Sequence, residues 1–171
     1  MRSRSCEDFT EFAIAAWPRL VRTAHLLTGD FHEAEDLVQT TLGKVYGRWR
    51  RIPPGAQDAY VRRALVNNNI SRIRKRRVVH LFTPFLPERP ARADSDMVDD
   101  RAAVFQALAG LPPRQRAALI LRFWEDLSTE EIGQCLGCSP NTVKTHLRRG
   151  LAVLRNAPDL TSYAAVLGGN R

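Results

Sequence analysis

Residues 128–155 limit the fold more than any other part of the chain. Their sequence, STEEIGQCLGCSPNTVKTHLRRGLAVLR, predicts two helices joined by a tight turn. Ser128 and Glu131 have the spacing of a capping box, which begins a helix, and Gly137 can adopt the left-handed backbone that ends one. Pro140 then suits the first turn of a second helix. A helix-turn-helix is therefore expected here, within an all-α fold.

The second of these helices has two different faces at about 100° per residue. An apolar stripe runs along Val143, Leu147, Leu151 and Leu154. The remaining surface is polar and basic, and it is suited to base edges and phosphates. Its members are Asn141, Thr142, Lys144, Thr145, His146, Arg148 and Arg149. The alternative is an ordinary solvated face, because helix-turn-helix shapes also occur without DNA.

The charge balance also favours a polyanionic partner. The chain has 171 residues and a net charge of +8, although basic surfaces can equally serve anionic membranes. No apolar run approaches the roughly 18 residues of a membrane span, and acidic residues precede any apolar signal core. The sequence therefore predicts a cytoplasmic protein with no membrane contact of its own.

The three cysteines, Cys6, Cys135 and Cys138, do not form a disulfide pattern. Cys135 and Cys138 lie three positions apart with His146 downstream, which could suggest a metal site. Only three ligands are present, however, whereas zinc sites usually need four, or three plus water. Buried thiols are the preferred interpretation. We predict no metal, no cofactor and no catalytic residue.

The N-terminal part predicts a helix from about Ser5 that Pro18 breaks or kinks, and a second helix from about His32. The inward side of the second helix is expected to hold Ala34, Leu37, Val38, Thr41, Leu42, Val45, Tyr46 and Trp49. Its other side carries Glu35, Asp36, Gln39 and Lys44. That polar side could dock a partner protein, or it could be a solvated face with a favourable acidic first turn.

A basic segment follows. The Pro-Pro-Gly sequence at 53–55 predicts a loop over 48–58, where Trp49 and Arg50 could accept an unstacked base. A helix is then expected over 59–77. Residues 60–80 contain no acid but hold Arg62, Arg63, Arg72, Arg74, Lys75, Arg76 and Arg77. Asn67 shares a helical sector with Arg63, Arg74 and Arg77 and offers an amide to a base. A nonspecific basic helix is the alternative.

The chain changes character after residue 79, where three prolines and then four aspartates occur without an apolar period. We predict a flexible linker over 80–97. It separates a helical domain at 5–79 from a second one at 98–157, and a short tail occupies 158–171. Within the second domain, helices are expected from about residue 96 to Gly110 and over 114–127.

Several motifs in this order resemble the extracytoplasmic-function (ECF, group 4) sigma factors of bacterial RNA polymerase. They are Leu-Thr-Gly-Asp at 27–30, Ala-Glu-Asp-Leu-Val-Gln at 34–39, Leu-Pro-Pro-Arg-Gln-Arg at 111–116 and Thr-Val-Lys-Thr-His-Leu-Arg-Arg at 142–149. The resemblance implies a sigma region 2-like bundle and a sigma region 4-like helix-turn-helix domain. It also implies that the protein directs core polymerase to promoters and is not itself an enzyme.

The resemblance implies a role for each polar surface. The polymerase-docking helix would use Glu35, Asp36, Gln39 and Lys44 on the clamp of the largest core subunit. Melting and reading of the minus-ten element would use Trp49, Arg50, Arg62, Arg63, Asn67, Arg74, Lys75 and Arg77. The minus-thirty-five element would meet Asn141, Thr142, Lys144, Thr145, His146, Arg148 and Arg149. Members of this family are commonly held by an anti-sigma factor.

Three features depart from the family pattern: His146 stands where arginine is common, Gly150 stands where alanine is common, and the loop at 53–55 lacks the aromatic residue often found there. Two other functions are also considered. A stand-alone helix-turn-helix regulator would bind duplex DNA as a dimer at palindromic half-sites. A DNA-processing enzyme such as a recombinase would need a carboxylate cluster with metal spacing or a recognisable nucleophile, and the sequence shows neither.

Overall fold

The computed structural model describes residues 2–82 and 99–155, and it confirms the all-α prediction: these two ranges contain helices and no strand. Seven α-helices occur in them: α1 (Arg2–Thr28), α2 (Phe31–Tyr46), α3 (Gln57–Phe82), α4 (Asp99–Ala109), α5 (Pro113–Phe123), α6 (Thr129–Leu136) and α7 (Pro140–Arg155). The predicted tail and residues 83–97 of the predicted linker lie outside the described residues. Residues 80–82 belong to α3, so the linker boundary at 80 is wrong.

Pro18 was expected to break or kink the first helix, and a break is excluded, because α1 is continuous through it. Proline removes the hydrogen bond that its amide would donate to the carbonyl four residues earlier, which is that of Ile14. Both Pro18 and Ile14 lie on the exposed side of α1, and Ile14 is 71% exposed. Water can therefore bind the freed carbonyl oxygen, and the helix survives.

Helix α2 begins after an N-cap that supplies a first-turn amide with an acceptor: Asp30 Oδ1 accepts from the Glu33 amide at 2.8 Å. Its buried side matches the predicted pattern through Val45. Tyr46 departs from that pattern, because it is 51% exposed at the last position of the helix. The segment after it is not entirely a loop, since Trp49–Arg51 forms one turn of 3₁₀ helix.

The second domain contains the predicted helix-turn-helix, while α5 ends four residues earlier than expected. Ser128 Oγ accepts from the Glu131 amide at 3.2 Å, and Glu131 Oε2 accepts from the Ser128 amide at 2.8 Å. This capping box begins α6, and Gly137 ends it with φ of 64°. Phe123 and Trp124, at the end of α5, are 41% and 54% exposed.

The two domains pack against each other and share one hydrophobic core. Helix α1 contacts α4 and α5, and α3 contacts α5 and α6. Side chains buried in the same cluster come from both domains, and they include Leu27, Leu37 and Leu65 together with Leu121 and Ile132. Each domain alone has a small core, so this shared burial adds apolar area that neither domain could cover by itself.

Candidate nucleic-acid interface

Close backbone packing holds the helix-turn-helix together. A Cβ atom at Gly133 of α6 would lie 2.7 Å from the Cys138 carbonyl oxygen, so only glycine allows this approach. On α7, the Ser139 hydroxyl accepts from the Thr142 amide at 3.2 Å, and Val143 is fully buried. These contacts fix the angle at which α7 leaves the turn, and therefore the direction of its polar face.

Helix α7 exposes most of the predicted minus-thirty-five residues. The exposed members are Asn141, Thr142, Lys144, Arg148 and Arg149. Thr145 is partly buried, and its hydroxyl donates to the Asn141 carbonyl at 3.1 Å. Gly150 is buried on the opposite side of α7, where an added Cβ would meet Leu119 Cδ1 at 2.8 Å. The glycine at this position thus allows α5 to lie close to α7.

His146 lies at the edge of this basic face and is partly buried. Its Nδ1 is buried and has no hydrogen-bond partner among the described residues. Burial lowers the pKa of His146 from its ordinary value, and the charges of Arg114 and Arg149 lower it further. The neutral form of the imidazole therefore predominates at pH 7, so His146 adds little positive charge to the face.

The basic residues of α3 divide between two directions. Arg63, Asn67, Arg74, Lys75 and Arg77 are exposed, as the predicted minus-ten surface requires. Arg72 and Arg76 instead turn toward α2 and form ion pairs there: Arg72 Nη2 lies 3.3 Å from Asp36 Oδ2, and Arg76 Nη1 lies 2.8 Å from Glu33 Oε1. The unpaired positive charge of α3 is thus concentrated on its outer side.

Two of the predicted minus-ten residues contact the second domain. Arg62 Nε lies 3.0 Å from Glu125 Oε2, and the Arg62 side chain is only 16% exposed. The Asn67 side-chain amide donates to the Cys135 carbonyl at 3.1 Å. Arg63 borders an open hollow of about 680 Å³ whose other lining residues belong to α6 and the turn before α7.

The two residues of the loop before α3 that were predicted to bind DNA differ in their exposure. The Trp49 ring packs against those of Phe9 and Phe12, with centroid distances of 5.1 Å and 5.0 Å. Trp49 therefore helps to anchor the loop on α1. Arg50 is exposed. A DNA-binding role for either residue stays a prediction.

The polar side of α2 is accessible. Asp36 and Gln39 are exposed, and the Asp36 side chain remains 66% exposed despite its ion pair with Arg72. Lys44 is exposed and donates to Asn68 Oδ1 at 2.9 Å, while Glu35 is partly buried. Asp36 and Gln39 therefore lie on an accessible side of α2, whereas Glu35 and Lys44 lie toward its two edges.

The thiols show no metal-site geometry. Burial raises the pKa of the Cys135 thiol, which is buried in the core, and Cys138 is partly buried. In residues 2–82 and 99–155 no three His, Cys, Asp or Glu side chains are grouped to hold a metal ion. None of the helices described there is long and apolar enough to span a membrane.

The comparisons with known proteins match both domains. Residues 15–78 match the family described as Sigma-70 region 2, and residues 101–154 match Sigma-70, region 4. An RNA polymerase sigma-E factor from Streptomyces coelicolor is 40% identical over 161 residues, covering 92% of this chain and 91% of that protein. The chain belongs to the extracytoplasmic-function sigma factors.

Other relatives of this sigma factor agree. The ECF RNA polymerase sigma factor SigE of Mycolicibacterium smegmatis is 34% identical, over 81% of this chain and 56% of that protein. A co-crystal structure of the sigma factor RpoE with the anti-sigma factor NepR from Bartonella quintana has a TM-score of 0.74 at 26% identity. It covers 91% of this chain and 99% of RpoE. The sigma factor is thus a transcription initiation factor for RNA polymerase, and the stand-alone regulator is the less favoured alternative.

The sequence interpretation missed the residues by which the two domains of this sigma factor meet. Arg19 and Thr23 of α1 contact Glu125, and the Arg116 guanidinium donates to the Leu27 carbonyl at 2.9 Å. No local motif marks these positions, because their partners lie far away in the sequence. The one available signal was the position of Glu125, an acid directly after the apolar pair Phe123 and Trp124.

Proposed function

We propose that this sigma factor binds core RNA polymerase through the polar face of α2 and reads promoter DNA with α3 and α7. The supporting observation is that α3 and α7 each expose a basic face, whereas the accessible side of α2 carries acidic and basic residues together. Phosphate contacts from the two basic faces supply affinity, and side chains that reach base edges supply sequence preference.

The positions of the two basic faces imply a separate promoter element for each domain. Helix α7 would enter the major groove at the minus-thirty-five element with Lys144, Arg148 and Arg149. Helix α3 and the loop before it would hold the melted minus-ten strand, where phosphate neutralisation and base contacts offset the loss of base stacking. Two weak readers on one chain gain specificity from their high effective concentration, and polymerase would fix the distance between them.

We also propose that the protein has no catalytic activity of its own and acts in the cytoplasm, where polymerase is found. Polymerase would perform the chemistry of transcription. An anti-sigma factor is a further proposed partner, because the solved structure of similar fold contains a sigma factor bound to one. The basis is similarity of fold at 26% identity.

Run-off transcription with purified core polymerase tests the main proposal. Core enzyme with the protein should start at a defined site on a promoter template, and core enzyme alone should not. If the protein binds a palindromic duplex tightly by itself and leaves polymerase unable to choose a start site, the stand-alone regulator is correct and the proposal fails.

Variants of the two surfaces test which of them binds DNA and which binds polymerase. Lys144→Ala and Arg149→Ala should each weaken binding of the holoenzyme to the upstream promoter element. Each should also reduce the slope of the logarithm of the binding constant against the logarithm of the salt concentration, by about the amount that one phosphate contact contributes. Asp36→Arg combined with Gln39→Ala should weaken polymerase binding instead. Pull-down of polymerase and promoter binding are measured for each variant. The opposite pattern would mean that the roles of the two domains are reversed.

A further inference from the structure

We propose that Arg72 of α3 is a positioning residue for polymerase binding, because it holds the carboxylate of Asp36 in place on the accessible side of α2. Neither the predicted docking residues nor the predicted DNA-binding residues include Arg72. The inference rests on the proposed docking role of Asp36, and it adds the residue that orients that side chain.

Arg72 contacts α2 at two points. Its Nη2 lies 3.3 Å from Asp36 Oδ2, and its Nη1 donates to the Glu33 carbonyl oxygen, also at 3.3 Å. The guanidinium group is planar and rigid, so a hydrogen bond from one nitrogen to the helix backbone fixes the direction of the other nitrogen. Arg72 therefore ties the Asp36 side chain to the backbone of α2, and not to another mobile side chain.

The two partners of this ion pair differ in their exposure. The Arg72 side chain is 26% exposed, whereas that of Asp36 is 66% exposed. Both oxygens of a carboxylate accept hydrogen bonds, so Asp36 can still accept from an incoming donor while Arg72 contacts it. Arg72 thus supports the carboxylate from the protein side and leaves the solvent side open to a partner.

Arg72 also points away from the proposed DNA face of the same helix. At about 100° per residue, Arg72 and Arg76 lie on the opposite side of α3 from Arg63, Asn67 and Arg74. Both arginines of this side form ion pairs with acids of α2. A substitution of Arg72 therefore leaves the charges of the DNA face in place, and its effect on polymerase binding can be measured separately.

The contribution of this ion pair should appear on binding and not in the free protein. An exposed ion pair adds little to the stability of a fold, because water screens the charges. When polymerase covers the accessible side of α2, water is displaced and the same charges interact more strongly. A side chain that is already oriented also loses less rotational freedom on binding, which corresponds to an affinity gain of about two- to tenfold.

Arg72→Met tests the inference in the full-length protein, because methionine keeps an apolar chain and removes both donors. Binding of the labelled protein to purified core polymerase, measured by fluorescence anisotropy at fixed salt, should weaken about two- to tenfold. Arg72→Lys keeps the charge but lacks the planar pair of donors. The affinity of Arg72→Lys should therefore lie between those of the wild type and Arg72→Met.

Arg76→Met is the matched control. Arg76 lies on the same side of α3, and its Nη1 is 2.8 Å from Oε1 of Glu33, which is not a predicted docking residue. The loss of this second exposed ion pair should change polymerase affinity by less than about twofold. Circular dichroism and urea unfolding verify that every variant is folded under the conditions of the binding measurement.

A double-mutant cycle with Asp36→Ala separates positioning from any other role of Arg72. Asp36→Ala should weaken polymerase binding, and the addition of Arg72→Met should then have little further effect, because the group that Arg72 holds is absent. An equal loss from Arg72→Met with and without Asp36 would overturn the inference. So would an unchanged or tighter affinity of Arg72→Met, or an equal loss from Arg76→Met.

These three results would leave the proposed docking surface intact. If Asp36→Ala instead binds polymerase as tightly as the wild type, the docking role of Asp36 fails and the inference fails with it. The behaviour of the Asp36 variant therefore distinguishes a failure of the proposed function from a failure of the role of Arg72.

Discussion

At the scale of single residues, Gly133 carries the tightest constraint in the helix-turn-helix. A Cβ atom there would lie 2.7 Å from the Cys138 carbonyl oxygen, which belongs to the backbone and not to a flexible side chain. Gly43 of α2 gives a contrast, because an added Cβ would meet nothing within 4 Å. The two glycines occupy helix interiors, so they differ in surroundings and not in the kind of element.

Gly133→Ala should therefore lower the free energy of unfolding by about 1 to 3 kcal/mol, because the cost of the clash exceeds the gain in helix propensity. Gly43→Ala should raise it by about 0.5 to 1 kcal/mol, since alanine loses less backbone entropy. Urea unfolding followed by circular dichroism measures both. A stabilising effect of Gly133→Ala would show that α6 and the turn are not in contact.

At the scale of an element, the capping box determines where α6 begins. Ser128→Ala removes the acceptor of the Glu131 amide and should lower the free energy of unfolding by about 1 kcal/mol. Ser71→Ala is the control, because Ser71 is exposed in the interior of α3, where alanine is the better helix former. Thermal and urea unfolding compare the two variants, and equal effects would contradict a capping role for Ser128.

The same box predicts a dependence on pH. The hydrogen bonds from Ser128 lower the pKa of Glu131 below its ordinary value of 4.5. A lowered folded-state pKa gives a stabilisation that is fully present above pH 4.5 and is lost as the pH falls through the folded-state value. The stability difference between wild type and Glu131→Ala should therefore shrink below pH 4.5. A constant difference across that range would contradict this mechanism.

The capping box shows which parts of the fold could be predicted. The box joins residues that are three positions apart. The turn at Gly137 and the buried stripe of α2 also depend on residues only a few positions apart, and such short spacings are visible in a sequence. The continuity of α1 through Pro18 was not predictable in this way. It depends on which side of the helix faces water, and that side is set by packing against other helices.

At the scale of the whole molecule, Arg116 connects ends of the two domains. It is 9% exposed, and its guanidinium donates to the Leu27 carbonyl near the end of α1 and to the Ala109 carbonyl, at 2.6 Å, at the end of α4. The positive charge therefore lies near the negative ends of two helices. Burial lowers the pKa of Arg116, yet arginine keeps its charge in proteins.

Arg116→Met should lower the free energy of unfolding by about 2 to 4 kcal/mol, because the buried Leu27 carbonyl and the part-buried Ala109 carbonyl lose a charged donor. Arg122→Met is a matched control on the same helix. Arg122 is exposed and donates to one carbonyl, that of Leu127, so the expected loss is about 1 kcal/mol or less. Urea unfolding distinguishes the two, and equal losses would contradict the role of Arg116 as a connection between domains.

Neither Arg116 nor Glu125 could be identified from the sequence as a contact between the two domains. Glu125 meets Thr23 across 102 positions, and Arg116 meets Leu27 across 89. The polar faces of α2, α3 and α7 were visible because they repeat with the helical period. The contacts that bring α3 under the second domain follow from tertiary packing, which a local pattern does not report.

The position of Arg62 between the two domains has a consequence for genetics. Its Nε lies 3.0 Å from Glu125 Oε2, so a substitution there removes an ion pair between the domains as well as a charge of the proposed minus-ten surface. A screen that scores promoter output in cells would therefore mix a loss of stability with a loss of DNA contact at Arg62. Arg63 is exposed, so substitutions at that neighbour should report the DNA contact with less effect on stability.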